Sequence, residues 1–581
     1  MLKVQKLNQF YGESHTLWDV NLNVLPGTCT CLMGRNGVGK TTLLKTIMGL
    51  IPVTSAHVSG VSPLTGGEGL IRFLKDLMAE GNSETAVETT LNSAGCDRSK
   101  FEEMDIPVKD YVEKQQNILD AYERLGIKLT LSCTPYDDLS IEGNASWAES
   151  NAVCFANSYT KLRTNQESGL SAIATAICGF TPEYGLLLDE NRVPNLTVTV
   201  DCDLEEPVDY SILGDWIGKQ IQPQWKMEYG PIPIIFGLNN LNSECKKALT
   251  AAAANYGCPM LFVDGFTDNP RSTYSHTDIR FTAMDLKKRY SELAPRNRVD
   301  LVTIGCPQAS YEEIQRTAEL VDGKELPKGR LWLFTSSENF AKAEKEGLIK
   351  IVEDAGGLVL RETCPEVVHY NHAKIKHILT NSMKAEHYLK SGLNSINTSV
   401  MKLAGCIEHA AKPDLLKVTR TERSLGKVQR LESRKTRKEG NVVISGKGLK
   451  SQKEWVMEGE ALVTDVPITF LGFVNRETGT IEEEGHPING ESMADKILIF
   501  PKGSGSTVAP YVLLGLFYNG NGPKAIINTD LDQQTIPACS LLGVPYAHSF
   551  DEDPCQAINS GDKIRLELKG GNVKLECSER S

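Results

Sequence analysis

The stretch "VDLVTIGCPQ", residues 299–308, is an apolar run that stops on a cysteine and a proline. A short apolar run bounded by turn residues reads as a strand buried on both faces, the kind found in parallel sheets. "IKLTLSC" (127–133), "GLLLD" (185–189), "PIPIIFGL" (231–238), "GRLWLFTS" (329–336) and "IKIVEDAGGLVL" (349–360) read the same way. Around them, "LIRFLKDLMAEG" (70–81), "VKDYVEKQQNILDAYERLG" (108–126) and "YEEIQRTAELVDG" (311–323) space apolar side chains three and four apart. That is the helix period, and the last two runs end near glycine, as helices do. The alternation predicts an α/β fold. Ligands of such sheets lie beyond the carboxyl ends of the strands, where Cys133, Cys306 and Cys364 stand, each beside a proline. Local pattern alone favours plain buried or surface thiols over ligands for these three, since Cys258 in "GCPM" shows the same pairing.

Composition bounds the alternatives. Of 581 residues, 40% are hydrophobic and 23% charged, which suits two to four domains. A net charge of -12 argues against a general nucleic-acid binder. No apolar run reaches the roughly 20 residues of a membrane span, and "MLKVQKLNQF" is not a secretory leader, so a cytoplasmic protein is expected. Fifteen cysteines without one C-x-x-C pair are too scattered for a disulfide framework. A metal centre would have to gather its ligands from distant parts of the chain.

A second signature lies near the start. "GRNGVGKTT" (34–42) fits the phosphate-binding loop G-x-x-x-x-G-K-[ST] through Gly34, Gly39, Lys40 and Thr41. Its backbone N–H groups would cradle phosphates, with the lysine on the outer phosphates and the threonine on Mg²⁺. "GTCTCLMG" before it reads as a strand and "KTTLLKTIMGL" after it as a helix. Residues 1–50 resemble the opening of an ABC transporter ATP-binding subunit, with Tyr11 matching the residue that stacks on adenine. The remaining parts of such a site are missing. "LTGGEGL" (64–70) begins only 24 residues after Lys40, too early for a signature motif, and none stands shortly before "GLLLDEN" (185–191). The loop is therefore read as real in descent and idle in function, and ATP with Mg²⁺ is implied only if this fragment works.

From residue 51 onward the chain resembles aconitase X. The motifs come in order: "IPVTSAHVSGVS" (51–62), "ETTLNSAGCD" (88–97), "CTPY" (133–136), "WAESNAVCFANS" (147–158), "RTNQESGLSA" (163–172), "TPEYGLLLDENR" (181–192), "IGCPQASYEEI" (304–314), "TNSMKAEHYL" (380–389) and "FPKGSGSTVAPYVLLGL" (500–516). The resemblance implies a multi-lobed aconitase-like catalytic domain over 51–410, a basic linker over 411–440 and a smaller swivelling domain over 441–581. These would be the large and small parts of the enzyme in one chain, with no separate small subunit required. It implies an iron–sulfur cluster, 4Fe–4S or another iron centre, on Cys133, Cys306 and Cys364. It makes Ser506 the catalytic base, helped by a nest of N–H groups around Gly503, Gly505 and Thr507. Gly60, Val61, Ser62, Asn92, Ser93, Glu149, Ser150 and Lys384 become substrate contacts, and Arg163, Asp189 and Arg192 are further candidates. Leu188 departs from the family's usual histidine, and Ser93 from the proline of the archaeal enzymes.

The implied reaction is dehydration of a phosphorylated hydroxy acid, (R)-5-phosphomevalonate, to trans-anhydromevalonate 5-phosphate, on the mevalonate route to isoprenoids. The alternative substrate is cis-3-hydroxy-L-proline. A rival from another class is an ATP-binding transporter component. "GLIPVTS" (49–55) continues both patterns, so the expected junction of the two lies there, as in a chimera.

Overall fold

The computed structural model describes residues 2–11, 14–25, 30–33, 35, 37–79, 84–137, 142–221, 232–268, 277–391, 393–412, 442–449, 452–483, 485–504 and 506–579. Gly34, Gly505 and all but the first residue of the basic run 412–441 lie outside these. Three parallel sheets and a barrel organise the chain. The first sheet orders its strands Glu88–Leu91, Ser55–Val58, Gly143–Trp147 and Leu162–Gln166. The second runs Phe262–Val263, Pro233–Phe236, Leu196–Asp201 and Thr277–Thr282. In the third, Leu301–Ala309 is the middle strand of five, between Leu331–Thr335 and His377–Thr380, with Leu358–Arg361 and Asn397–Val400 at the edges. Every residue of Leu301–Ala309 is buried, as its unbroken apolar run requires.

The C-terminal part closes seven strands into a barrel, from Val443–Gly448 to Asn572–Glu579. Its helix Ala509–Tyr518 packs on the helix Pro63–Ala79 of the first sheet's unit, and Leu70, Leu74, Ile118, Tyr122, Val508, Tyr511 and Leu514 share one core. The two helices meet at Gly69, where a Cβ would stand 2.5 Å from the Tyr511 carbonyl oxygen and 2.7 Å from the Gly515 nitrogen. Any larger residue there forces the helices apart.

Several expected strands are otherwise. "IKLTLSC" is an extended segment held to Glu88–Leu91 by bonds from Lys128 N to Thr89 O and from Ser132 N to Leu91 O. Between them the Thr130 hydroxyl takes the place of backbone in the ladder, accepting from Leu91 N at 3.1 Å and donating to Leu91 O at 3.0 Å, and Leu131 turns to φ 49°. "GLLLD" forms two 3₁₀ turns, Gly185–Leu187 and Asp189–Asn191, because the Asn165 carbonyl accepts from Leu186 N at 2.8 Å and ends the extension. "IKIVEDAGGLVL" divides into the helix Leu348–Asp354, with Ile349 and Val352 buried at the helix spacing, and the strand Leu358–Arg361.

At the N-terminus, Leu2–Tyr11 and Ser14–Val24 pair as an antiparallel hairpin. Residues 30–33 form no strand. The helix Lys40–Ile47 follows, and Leu50–Pro52 then pairs with Phe180–Pro182 of the first unit. Lys45 Nζ sits 3.2 Å from the centre of the Phe180 ring. The helix after the glycine-rich loop is thus packed onto the α/β region.

Candidate active site at the domain junction

The candidate residues project from the carboxyl ends of parallel strands, where the pleat stops and side chains of several strands converge. Gly60 follows Ser55–Val58, Asn92 follows Glu88–Leu91, Glu149 follows Gly143–Trp147, and Lys384 follows His377–Thr380 in the first turn of the helix Met383–Lys390. Ser506 follows the barrel strand Ile497–Phe500 and stands three positions before the start of the helix Ala509–Tyr518. Gly60, Val61, Asn92, Ser93, Glu149, Ser150 and Ser506 line one cavity of about 50 Å³, together with Glu366 and Tyr388. Ser62 is fully buried and bonded to Thr65 at 2.8 Å, outside that lining.

A buried polar network backs the cavity. Lys384 Nζ donates to Glu149 at 2.8 Å and to Asn151, and lies 3.6 Å from Glu366. Asn92 Nδ2 donates to the other Glu149 oxygen at 2.6 Å. Burial disfavours the Glu149 charge, but Lys384 and Asn92 outweigh it and hold this carboxyl below the usual range. Burial also opposes the Lys384 charge, yet Glu149 and Glu366 keep the ammonium protonated far above its ordinary pKa. Glu366, with a smaller share of Lys384, is pushed up by burial.

The three cysteines lie within electrostatic reach of Glu366. Cys133, Cys306 and Cys364 are buried and unpaired with any other cysteine. The Cys306 thiol donates to Glu366 at 2.9 Å, and Cys133 Sγ accepts from Gln308 N at 3.3 Å. Burial pushes the Cys133 thiol up to about 11, and burial with Glu366 raises Cys306 and Cys364 well above the ordinary thiol range. Among the described residues, no three His, Cys, Asp or Glu side chains form a group that could hold a metal ion.

The barrel side supplies Ser506, whose Oγ accepts from Val508 N at 3.4 Å. The expected nest needs correction. Gly503 N is spent on Asp532 at 2.9 Å, and the Thr507 hydroxyl bonds Ser59 across the junction at 3.0 Å. Gly505 lies outside the described residues; among those described, the Val508 N–H and the amino end of the helix Ala509–Tyr518, whose dipole favours negative charge, stand beside Ser506. Gly60 permits the closure, since a Cβ there would lie 2.2 Å from the Tyr511 ring.

Arg163, Asp189 and Arg192 are placed elsewhere. They line a separate cleft of about 1170 Å³, with Arg163 paired to Asp189 at 2.6 Å and Arg192 bonded to Asn157. Sequence reasoning missed Glu366, Tyr388, Asn151 and Gln308. Glu366 in "CPE" and Gln308 in "CPQ" were both within sight, each two residues after a cysteine, but nothing local marks Tyr388 and Asn151. At the N-terminus, Lys40 Nζ bonds the Arg35 carbonyl of its own loop at 2.9 Å, and Thr41 is exposed.

His57 lies behind Glu149 on the strand Ser55–Val58. Its Nδ1 meets the Thr90 hydroxyl at 2.8 Å, while its Nε2 has no partner among the described residues. Burial, opposed by Glu149, lowers its pKa from 6.5 to about 4. The unfolded chain therefore binds a proton near pH 6.5 that the folded chain refuses until about pH 4. Stability is full above pH 6.5 and falls as the pH drops toward 4, by up to about 3 kcal/mol from this residue. Urea unfolding of wild type and His57→Asn at pH 7.0 and 5.0 measures the slope, which the variant should flatten.

Four aconitase X models match the chain: the first domain over 39–190, the second over 194–291, the third over 299–412 and the swivel domain over 447–575. The phosphomevalonate dehydratase large subunit of Methanothermobacter thermautotrophicus is 34% identical over 366 residues, 61% of this chain and 88% of the relative. The small subunit of that enzyme from Pyrococcus horikoshii is 39% identical over 132 residues, 23% of this chain and 94% of the relative. The crystal structure of Thermococcus kodakaraensis aconitase X in its holo form matches with a TM-score of 0.56 at 33% identity, covering 64% of this chain and 93% of that one. The first-domain match begins at residue 39 and takes in the helix Lys40–Ile47, so the ATP-binding fragment draws no support from it. Large-subunit-like and small-subunit-like parts are joined here, and this chain belongs to the aconitase X family.

Proposed function

We propose that the protein is a hydro-lyase that dehydrates (R)-5-phosphomevalonate to trans-anhydromevalonate 5-phosphate, a step in isoprenoid synthesis. The observation that carries this reading is the cavity in which Ser506 of the barrel faces Asn92, Glu149 and Glu366 of the α/β region. Removal of water across a carbon–carbon bond needs a base on one side and help for the departing oxygen on the other. Ser506 Oγ would take the proton α to the carboxylate, its negative charge eased by Val508 N–H and the helix amino end. Lys384 and Asn92 fix Glu149 in one orientation beside it.

Cys133, Cys306 and Cys364 would hold an iron–sulfur cluster, 4Fe–4S or a related iron centre. Soft thiolates brought in from distant parts of the chain suit such a centre. When bound, it supplies a Lewis acid for the leaving hydroxyl. About 50 Å³ holds only a few waters, so substrate entry requires the barrel to draw back from Ser59 and Gly60.

The test is an anaerobic assay of iron-reconstituted protein, following alkene formation by NMR. Turnover of (R)-5-phosphomevalonate is expected. Turnover of cis-3-hydroxy-L-proline instead would replace the substrate, and failure with both would overturn the reading. The phosphate-binding-like loop has no part in this chemistry. Lys40→Ala is accordingly expected to leave kcat/KM within about twofold of wild type, with or without ATP and Mg²⁺, and a larger loss would restore a role for nucleotide.

A further inference from the structure

Two loops and the strand Leu301–Ala309 carry Cys133, Cys364 and Cys306, which lie 58 to 231 residues apart in sequence, and one side chain on that strand bonds both loops. Gln308 lies two residues after Cys306 on the strand Leu301–Ala309 and is 1% exposed. Its Nε2 donates to Leu131 O at 3.2 Å, two residues before Cys133, and to Thr363 O at 3.0 Å, directly before Cys364. Its Oε1 accepts from Cys133 N at 3.3 Å, and its own backbone N donates to Cys133 Sγ at 3.3 Å. Both partner loops contain a non-glycine residue at positive φ, Leu131 at 49° and Glu362 at 68°. Such backbone persists only where its surroundings hold it. From the other side Lys247 Nζ donates to Gln308 O at 3.1 Å, and Lys247 is itself held by Glu244 at 3.0 Å and Glu313 at 3.6 Å.

We propose that Gln308 is a positioning residue for the cysteine site, a single buried amide that sets the spacing of the three thiol-bearing segments. This rests on the reading of those cysteines as ligands. The chemistry requires an amide of this length. Two donors are needed for the two carbonyls and one acceptor for the Cys133 N–H, a combination that glutamate and methionine lack at the same reach. Asparagine, one methylene shorter, cannot span the loops.

The test uses the full chain as Q308E and Q308M, each with two readouts. In metal-free protein, iodoacetamide labelling of Cys133, Cys306 and Cys364 is followed by peptide mass spectrometry, with buried Cys154 and Cys539 as references. Iron and sulfide per chain are then measured after anaerobic reconstitution. Labelling of Cys133 and Cys364 is expected to rise at least tenfold while the references stay protected, and bound iron to fall below half of wild type. Unchanged labelling with wild-type iron in both variants overturns the proposal and leaves the cluster reading standing. Equal exposure of the reference cysteines, or loss of fold in both variants, overturns it as well, because Gln308 would then hold the domain rather than the thiols. Selective labelling in a protein whose wild type takes up no iron supports the brace and removes the cluster.

Discussion

Ser506→Ala is expected to lower kcat by about 10²–10⁴-fold, the range for loss of a positioned proton-transfer group, with little change in unfolding free energy. The two halves of that expectation come from different observations. Ser506 lines the junction cavity, and its side chain accepts a long bond, 3.4 Å from Val508 N. Losing so weak a bond costs little, so a stability change is not the route to inactivity. Among the described residues, its loss removes the one barrel-loop hydroxyl lining the cavity besides Thr507, which is engaged with Ser59. Single-turnover kinetics on iron-loaded protein, beside urea unfolding, measure both halves. Full turnover in the variant would remove Ser506 from the chemistry and direct attention to Glu366.

Lys384→Met is expected to destabilise the protein by about 3–5 kcal/mol, as breaking a buried ion pair does, and to abolish turnover. Lys384 is 3% exposed, and its ammonium bridges Glu149, Glu366 and Asn151. Without it two buried carboxylates face each other with no cation. One or both must then take up a proton on folding, so the variant's stability should fall as the pH rises through the range where those protons leave. This is the reverse of the slope expected from His57 in wild type, which makes the two distinguishable in one set of urea curves at pH 5, 6, 7 and 8. Lys384→Arg keeps the charge but changes the shape, and should recover part of the stability without the activity. Wild-type stability in Lys384→Met would show that the carboxylates are compensated by other groups.

The strand Leu301–Ala309 was legible because nine buried positions in the middle of a parallel sheet leave no polar face, so the run itself records its surroundings. "GLLLD" has the same local look and is not a strand, because the deciding contact is with Asn165, some twenty residues away. Gly503 drops out of the expected N–H nest at Ser506 for a similar reason: Asp532, on a later loop, has taken its N–H.

Residue order by itself determined the α/β class, the placing of Cys364 and Ser506 shortly after strands, and the joining of large and small parts, because hydrophobic period and motif order are properties of the chain alone. Only the tertiary structure decided that Asn92, Glu149, Glu366 and Ser506 share one cavity, that Arg163, Asp189 and Arg192 belong to another cleft, and that Gln308, on the strand of Cys306, bonds both other cysteine loops. These are distances between strand ends far apart in sequence, set by which strands pair and how the barrel docks, and no local pattern encodes them.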